Sequence, residues 1–280
     1  MGRTLYVTDL DGTLLNTRSE VSRESARKIT GLSCEGALIT VATARTPATV
    51  EPLLADTLTT GPAVVMTGAT LWNRTSQSYL EPAFLTGASV EAVRAAMERN
   101  GLNPFVYILP GDQIIRAYHP GPLTATDRDF VDKRSRLQLK RFVIGEEPAV
   151  SPDNCIIVFA MGEPEVVFAA ASEIESDTVH PTSVSAYVDP CSCGVGVLEV
   201  KAPGTSKAAS VKRVAEMTGA DRLVVFGDNV NDLSMMEVAD VAVAVGNAVP
   251  QVMSAADVVI GTNDADSVAR FIESDFRNNG

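Results

Sequence analysis

The sequence predicts an α/β protein, a doubly wound parallel sheet carrying an inserted α+β domain, and three observations support that prediction. Short apolar runs end in acidic loops near both ends of the chain. Strands and helices alternate over 1–82 and again over 201–280, and between 83 and 200 that alternation gives way to closely spaced strands. Alternation implies a parallel sheet, because parallel neighbours need a helical crossover, whereas strands joined by hairpin-length turns run antiparallel.

The first apolar run, Leu5-Tyr-Val-Thr8, has the pattern of a strand buried on both faces and delivers Asp9 and Asp11 into a loop opened by Gly12. Open α/β sheets bind ligands beyond the carboxyl ends of their strands, so both carboxylates are expected at the working edge. A helix over 21–32, a strand over 37–40, a helix over 47–56 and a strand over 63–66 complete the first half of the core. The middle segment reads as helix 88–100, strands 104–109 and 113–118, a helix near 122–135, strands 139–144 and 154–161, helix 163–176, and strands 183–188 and 195–200. Alternation then resumes with helix 206–218, strand 222–226, helix 232–237, strand 241–245, helix 250–255, strand 257–260 and helix 265–273. Turns at Gly61-Pro62, Glu81-Pro82 and Ala202-Pro203-Gly204 are the expected junctions.

Taken alone, Asp9-Leu-Asp-Gly12 could be a simple turn. A calcium loop fails on geometry. Asp9, Asp11 and Glu20 fit its first, third and twelfth positions, but its sixth, which must be glycine, is Leu14, and a strand rather than a helix precedes it. A second acidic cluster, Gly227-Asp-Asn-Val-Asn-Asp232, follows the apolar run Leu223-Val-Val-Phe226. Two strand-to-acid junctions point at one site. Between them lie Val41-Ala-Thr-Ala-Arg45, after a strand, and Gly204-Thr-Ser-Lys207, opening a helix.

Together these segments resemble the four motifs of the haloacid dehalogenase (HAD) phosphohydrolase superfamily, in order. Val245-Gly-Asn-Ala248, Ala256-Asp-Val-Val-Ile260 and Asn263 resemble its Cof-type group, subclass IIB. The motifs cover about the first 80 and last 80 residues. The resemblance implies a Rossmann-like HAD core over 1–82 and 201–280, with a C2B-type cap over 83–200 that sets substrate specificity.

It also implies roles. Asp9 is the expected nucleophile and Mg²⁺ ligand, and Asp11 the general acid and base, also binding metal through its carbonyl. Asp228 supplies the second carboxylate, and Asp232 is expected in the metal's first or second shell. Thr43, Lys207, Asn231 and the amides of Leu10 and Ala44 would hold phosphate, with Arg45 a substrate-side cation. Magnesium suits the chemistry because a phosphate dianion repels a carboxylate nucleophile unless a hard cation neutralises both. Departures from the family pattern are Thr43-Ala-Arg45 for Thr-Gly-Arg, Thr67-Gly68 for Asn-Gly, and Asp266-Ser-Val268 for Asp-Gly-Val. None removes a residue the chemistry needs.

The resulting expectation is a Mg²⁺-dependent phosphatase of a small phosphorylated metabolite, with sugar phosphates leading. The alternatives are a phosphomutase or a non-catalytic phosphometabolite-binding regulator. A net charge of −12 argues against nucleic-acid or anionic-membrane partners. No apolar run reaches membrane-spanning length, and no leader precedes the first strand, so the expected compartment is the cytoplasm. The motifs say nothing of oligomeric state. Walker A and dinucleotide-binding glycine patterns are absent. The four cysteines show no disulfide framework, and Cys191-Ser-Cys193 lacks the spacing of a zinc site, so reduced thiols are expected. His119 and His180, each beside a proline, read as loop or surface residues, and the charge run 127–136 as a solvated helix face.

Overall fold

The computed structural model describes residues 2–189 and 194–279, so Cys191 and Cys193 lie outside the described residues. Two compact units divide the chain, Met1–Leu80 with Ser206–Gly280, and Glu81–Thr205.

The first unit begins with β1 (Thr4–Thr8), α1 (Arg23–Cys34), β2 (Leu38–Val41), α2 (Pro47–Leu53), β3 (Ala63–Val65), β4 (Thr70–Asn73) and β5 (Ser78–Leu80). Helix α1 starts where the Ser22 hydroxyl accepts from the Ser25 amide, and α2 ends before residue 56 with Pro52 in its last turn. β3 departs from the sequence expectation. It is joined to the strand-2 segment by an isolated parallel bridge, Ala42 to Val64, and pairs antiparallel with β4, which pairs with β5. The β4–β5 hairpin escapes sequence reading because its strands are short and the polar tract Asn73–Ser78 resembles a loop. A tertiary contact secures it: Trp72 meets Tyr79 edge-on at 4.8 Å and donates its indole N–H to Glu51 at 2.7 Å.

The second unit comprises α3 (Gly87–Arg99), β6 (Phe105–Ile108), β7 (Ile115–His119), α4 (Ala125–Asp132), β8 (Lys140–Ile144), β9 (Cys155–Gly162), α5 (Pro164–Ser176), β10 (Ser183–Val188) and β11 (Gly196–Lys201). β11 belongs to this unit to its last residue, so the break falls after Thr205 rather than at 200/201. The sheet order is β10-β11-β9-β6-β7-β8. One pair departs from the antiparallel pattern: β7 and β8 are parallel, with α4 as their crossover. On one face, Val90, Val93 and Met97 of α3 and Val167 and Ile174 of α5 pack with Val106, Val158, Leu198 and Val200.

Alternate residues form an aromatic cluster in which Phe105 contacts Phe142 and Phe159, and Phe130 of α4 stacks on Phe159. Two sequence expectations are corrected here. His119 is no surface residue: it is fully buried at the end of β7, against Phe105, because a strand carries it inward. Asp127 leaves the solvated face because its carboxylate is drawn in to complete the Thr124 capping box of α4.

Lys140 is buried in this cluster, its ammonium 2.6 Å from the Tyr107 hydroxyl and over the Tyr107, Phe130 and Phe142 rings, and no carboxylate pairs with it among the described residues. Burial, with Arg134 nearby, holds it well below the usual lysine range. Between that lowered value and the ordinary 10.5 the unfolded chain binds more protons than the fold, so stability rises with pH across the window. Lys140→Met is therefore expected to stabilise the protein at pH 7 by about 1–3 kcal/mol in urea unfolding, and to flatten the pH dependence. A loss of stability would mean that the Tyr107 bond and ring contacts outweigh desolvation.

The chain then returns to the first unit with α6 (Lys207–Thr218), β12 (Arg222–Gly227), α7 (Leu233–Met236), β13 (Val241–Ala244), α8 (Pro250–Ala255), β14 (Val258–Val259) and α9 (Ser267–Asn279). Its parallel sheet runs β14-β13-β12-β1-β2, with β1 an interior strand between β12 and β2. Leu5, Tyr6, Val7 and Thr8 are all buried, as a strand covered on both faces requires. Helix α9 runs past the expected residue 273 because Asp275 binds Tyr6 and Arg222, and Arg277 pairs with Glu35. Among the described residues, no helix is long and apolar enough to cross a membrane.

Candidate active site

Because β1 lies between β2 and β12, the loops leaving all three emerge side by side at the carboxyl edge of the sheet. Asp9 is the first residue beyond β1. Its amide donates to the Phe226 carbonyl at 3.0 Å, which carries the β1–β12 ladder to the start of the loop. The chain then turns at Asp11 and Gly12, and Gly12 has φ of +77°. A Cβ at Gly12 would lie 2.3 Å from an Asp228 carboxylate oxygen, so glycine serves both the turn and the close approach of the second acidic loop.

Asp9, Asp228 and Asp232 each offer a carboxylate oxygen, all within 4.8 Å of one another. Lys207 is buried among them, its Nζ 2.6 Å from Asp9 Oδ1 and 2.7 Å from Asp232 Oδ1. The other Asp232 oxygen accepts from the Asp228 and Asn229 amides at 3.0 and 3.2 Å, so Asp232 ties the lysine to the loop after β12. Asp228 Oδ1 accepts from the Thr13 hydroxyl at 2.9 Å.

Lys207 is delivered by the first turn of α6, where the Ser206 hydroxyl accepts from the Ala209 amide. The 66–68 turn buttresses that end. Gly68, at φ +86°, comes so close that a Cβ would stand 2.2 Å from the Ser206 carbonyl, and Ser210 donates to the Gly68 carbonyl at 2.9 Å.

The electrostatics follow from two buried carboxylates, Asp9 and Asp232, and the half-buried Asp228 around one lysine. Burial raises Asp9 well above the ordinary range, with Lys207 opposing and Asp232, Asp228 and Asp11 adding to the rise. Burial and the Asp232 charge push Asp228 up to about 7. Burial works to lower the Lys207 ammonium, but Asp232 and Asp9 overcome it and hold it raised. The centre has more negative charge than its lysine offsets, and its hard oxygen donors suit a divalent cation.

The remaining predicted residues stand on the same edge. Leu10 is buried within the first loop, and Thr43, also buried, accepts from the Arg45 amide at 3.1 Å. Ala44 lies between them, half-buried, and Asn231 lies in the turn after β12 with its buried side-chain oxygen lacking a hydrogen-bond partner. Arg45 grips Asp11 with two bonds, Nε to Oδ2 at 2.6 Å and Nη2 to Oδ1 at 2.5 Å.

Sequence reasoning missed two supports. The Thr13 hydroxyl holds Asp228, and Asn247 donates to the Gly12 carbonyl at 2.7 Å while its own oxygen accepts from the Asn263 amide. The signal was present in the Asp-Gly-Thr and Gly-Asn segments, but their partners lie more than two hundred positions away.

A doubly wound sheet that sets an aspartate against a buried lysine, and is interrupted by a second compact unit, defines a HAD-type hydrolase. The chain belongs to the haloacid dehalogenase-like hydrolase family, whose model matches residues 6–272. Among relatives, 5-amino-6-(5-phospho-D-ribitylamino)uracil phosphatase YitU of Bacillus subtilis is 24% identical over 278 residues, covering 97% of each chain. Pyridoxal phosphate phosphatase YbhA of Escherichia coli is 42% identical over 79 residues, which is 28% of this chain and 29% of that one. Among solved structures, the subclass IIB sugar phosphatase BT4131 matches with a TM-score of 0.73 at 19% identity, over 97% of this chain and 98% of that one, a likeness of fold.

Proposed function

We propose that the protein is a Mg²⁺-dependent phosphatase that hydrolyses a small phosphorylated metabolite, with sugar phosphates the leading class, through an aspartyl-phosphate on Asp9. The observation carrying this reading is the buried contact of Lys207 with Asp9, beside the Asp228 and Asp232 carboxylates. Asp9, Asp228 and the Asp11 carbonyl would hold the metal, with Asp232 beside it. When bound, Mg²⁺ supplies the positive charge that lets a carboxylate meet a phosphate dianion.

The chain's own residues do the rest. An Asp9 oxygen attacks phosphorus and the ester P–O bond breaks, while Asp11 gives its proton to the departing alkoxide. Asp11 then takes a proton from water, whose oxygen attacks phosphorus and breaks the bond to Asp9, releasing phosphate. Lys207 holds Asp9 in place and offsets charge on the transferring group, and Thr43, Asn231 and the Leu10 and Ala44 amides bind its oxygens. Substrate choice is assigned to the inserted unit, in the role of a C2B-type cap, and the working compartment to the cytoplasm.

The test is inorganic phosphate release from a panel of sugar phosphates, nucleotides, pyridoxal phosphate and the phosphoribityl-uracil ester hydrolysed by the relative, with Mg²⁺ and with EDTA. Metal-dependent release is expected. Phosphate retained on a rearranged product would make the enzyme a mutase, and silence on every ester would overturn the reading.

Metal binding should depend on pH through Asp228, whose value moves from 3.8 to about 7. A raised value means that Asp228 contributes stability to the metal-free fold below 3.8 and loses it as pH rises through about 7. A cation must displace that proton, so Mg²⁺ affinity should rise about tenfold per pH unit below 7 and level off above it. Calorimetric titration at pH 5.5, 7 and 8.5, in buffers of different ionisation enthalpy, would detect the released proton. Affinity independent of pH would remove Asp228 from the ligand set.

A further inference from the structure

Arg45 has a fixed backbone and a half-buried side chain that solvent still reaches. In the loop between β2 and α2, its amide donates to Thr43 Oγ1 at 3.1 Å and its carbonyl accepts from the Met66 amide at 3.0 Å. The side chain reaches across to Asp11, where Nε and Nη2 each engage a different carboxylate oxygen. The two side chains are 24% and 32% exposed, so solvent reaches this pair, whereas Lys207 is sealed at 0% between Asp9 and Asp232. Asp11 stands on a turn whose glycine carbonyl accepts from Asn247, so the backbones of both loops are held.

A guanidinium fork fits two carboxylate oxygens or two phosphoryl oxygens in the same planar geometry, and a phosphoryl dianion offers the greater charge. We propose that Arg45 is a latch on Asp11 that substrate opens. The arriving phosphoryl group takes over the fork, and the released Asp11 carboxylate takes up a proton from solvent and turns it to the leaving-group oxygen. While the site is empty, both Asp11 oxygens are engaged and the carboxylate is fixed; occupancy of the phosphate subsite sets it free. Arg45 is thus a positioning residue for Asp11 as well as a substrate contact, an inference that rests on the phosphatase reading.

Crystal structures of the wild-type enzyme with Mg²⁺, without and with saturating inorganic phosphate, test the exchange directly. The expected result is the fork on Asp11 without phosphate and on phosphate oxygens with it, both Arg45–Asp11 bonds having broken. Retention of both bonds beside bound phosphate, or no phosphate in the site at saturation, overturns the latch.

Kinetics provide a second readout. Arg45→Lys keeps the charge but loses the two-point grip, so KM should rise about tenfold, and Arg45→Gln should raise it up to about a hundredfold, each with a smaller change in kcat. The opposite split, kcat lost at constant KM, would mean that the fork stays on Asp11 throughout turnover. Failure of the underlying reading is distinct, since it would appear as a wild-type enzyme that releases phosphate from no ester at all.

Discussion

Asp9→Asn is expected to lower phosphate release by about four orders of magnitude or more, the scale on which removal of a covalent nucleophile acts. The substitution is nearly isosteric, and the amide oxygen can still accept from Lys207, which lies 2.6 Å from Asp9 Oδ1. The fold should not suffer. Burial and three nearby carboxylates hold Asp9 well above its ordinary range, so its ionised form costs stability at neutral pH and the neutral amide relieves that cost. Thermal unfolding with EDTA should show the variant at least as stable as wild type, alongside the absent turnover. Wild-type-like release would take the nucleophile's role away from Asp9. An unfolded variant would show that Asp9 is needed for structure, and Asp9→Glu, which keeps the charge but displaces the oxygen, would then separate the two contributions.

Lys207→Met is expected to act on stability and turnover together. The ammonium is fully buried between Asp9 and Asp232, so its loss leaves two carboxylates without their cation. Breaking a buried pair from one side costs about 3–5 kcal/mol. The cost should be smaller at pH 5 than at pH 8, because Asp9, raised by burial, more readily carries a proton at the lower pH and then needs the ammonium less. Millimolar Mg²⁺ should restore part of it. Turnover should fall at least about a hundredfold, as when one preorganised electrostatic group is removed. Urea unfolding at the two pH values, with EDTA and with Mg²⁺, gives the comparison. Equal stability of variant and wild type at pH 8 would mean that the lysine does not balance this centre.

Legibility in the sequence followed the range of the interactions. Asp9, Asp228 and Lys207 could be read because each sits at the end of an apolar strand or the start of a helix, where local pattern alone locates the sheet edge. Residue types in order then implied their convergence. The β4–β5 hairpin could not be read, since strands of three or four residues carry little periodicity and this pair is held by Trp72, Tyr79 and Glu51. His119 was misread because a neighbouring proline suggested a turn, while packing on Phe105 decided its burial. Arg45 was legible as a cation of the site but not as the partner of Asp11, which lies 34 positions earlier on another loop. Thr13 and Asn247 are polar residues in polar loops, and only folding shows which backbone and carboxylate groups they hold.

The place of β1 between β2 and β12 bears on how the chain is made. Thr4 pairs with Arg222 and Thr8 with Phe226, so one side of the first strand lacks its neighbour until the ribosome has passed residue 226. At about 5–20 residues per second, that delay is roughly 10–45 s. During it, Leu5, Tyr6 and Val7 belong to an unfinished sheet with an open edge. The unit at Glu81–Thr205 holds all the strands of its own sheet and can close while the nucleotide message is still being read. Emergence of β12 is therefore the event that joins the two core segments of the chain into one catalytic body, and substitutions that weaken β12 should reduce the yield of folded protein during synthesis more than they reduce the stability of the finished enzyme.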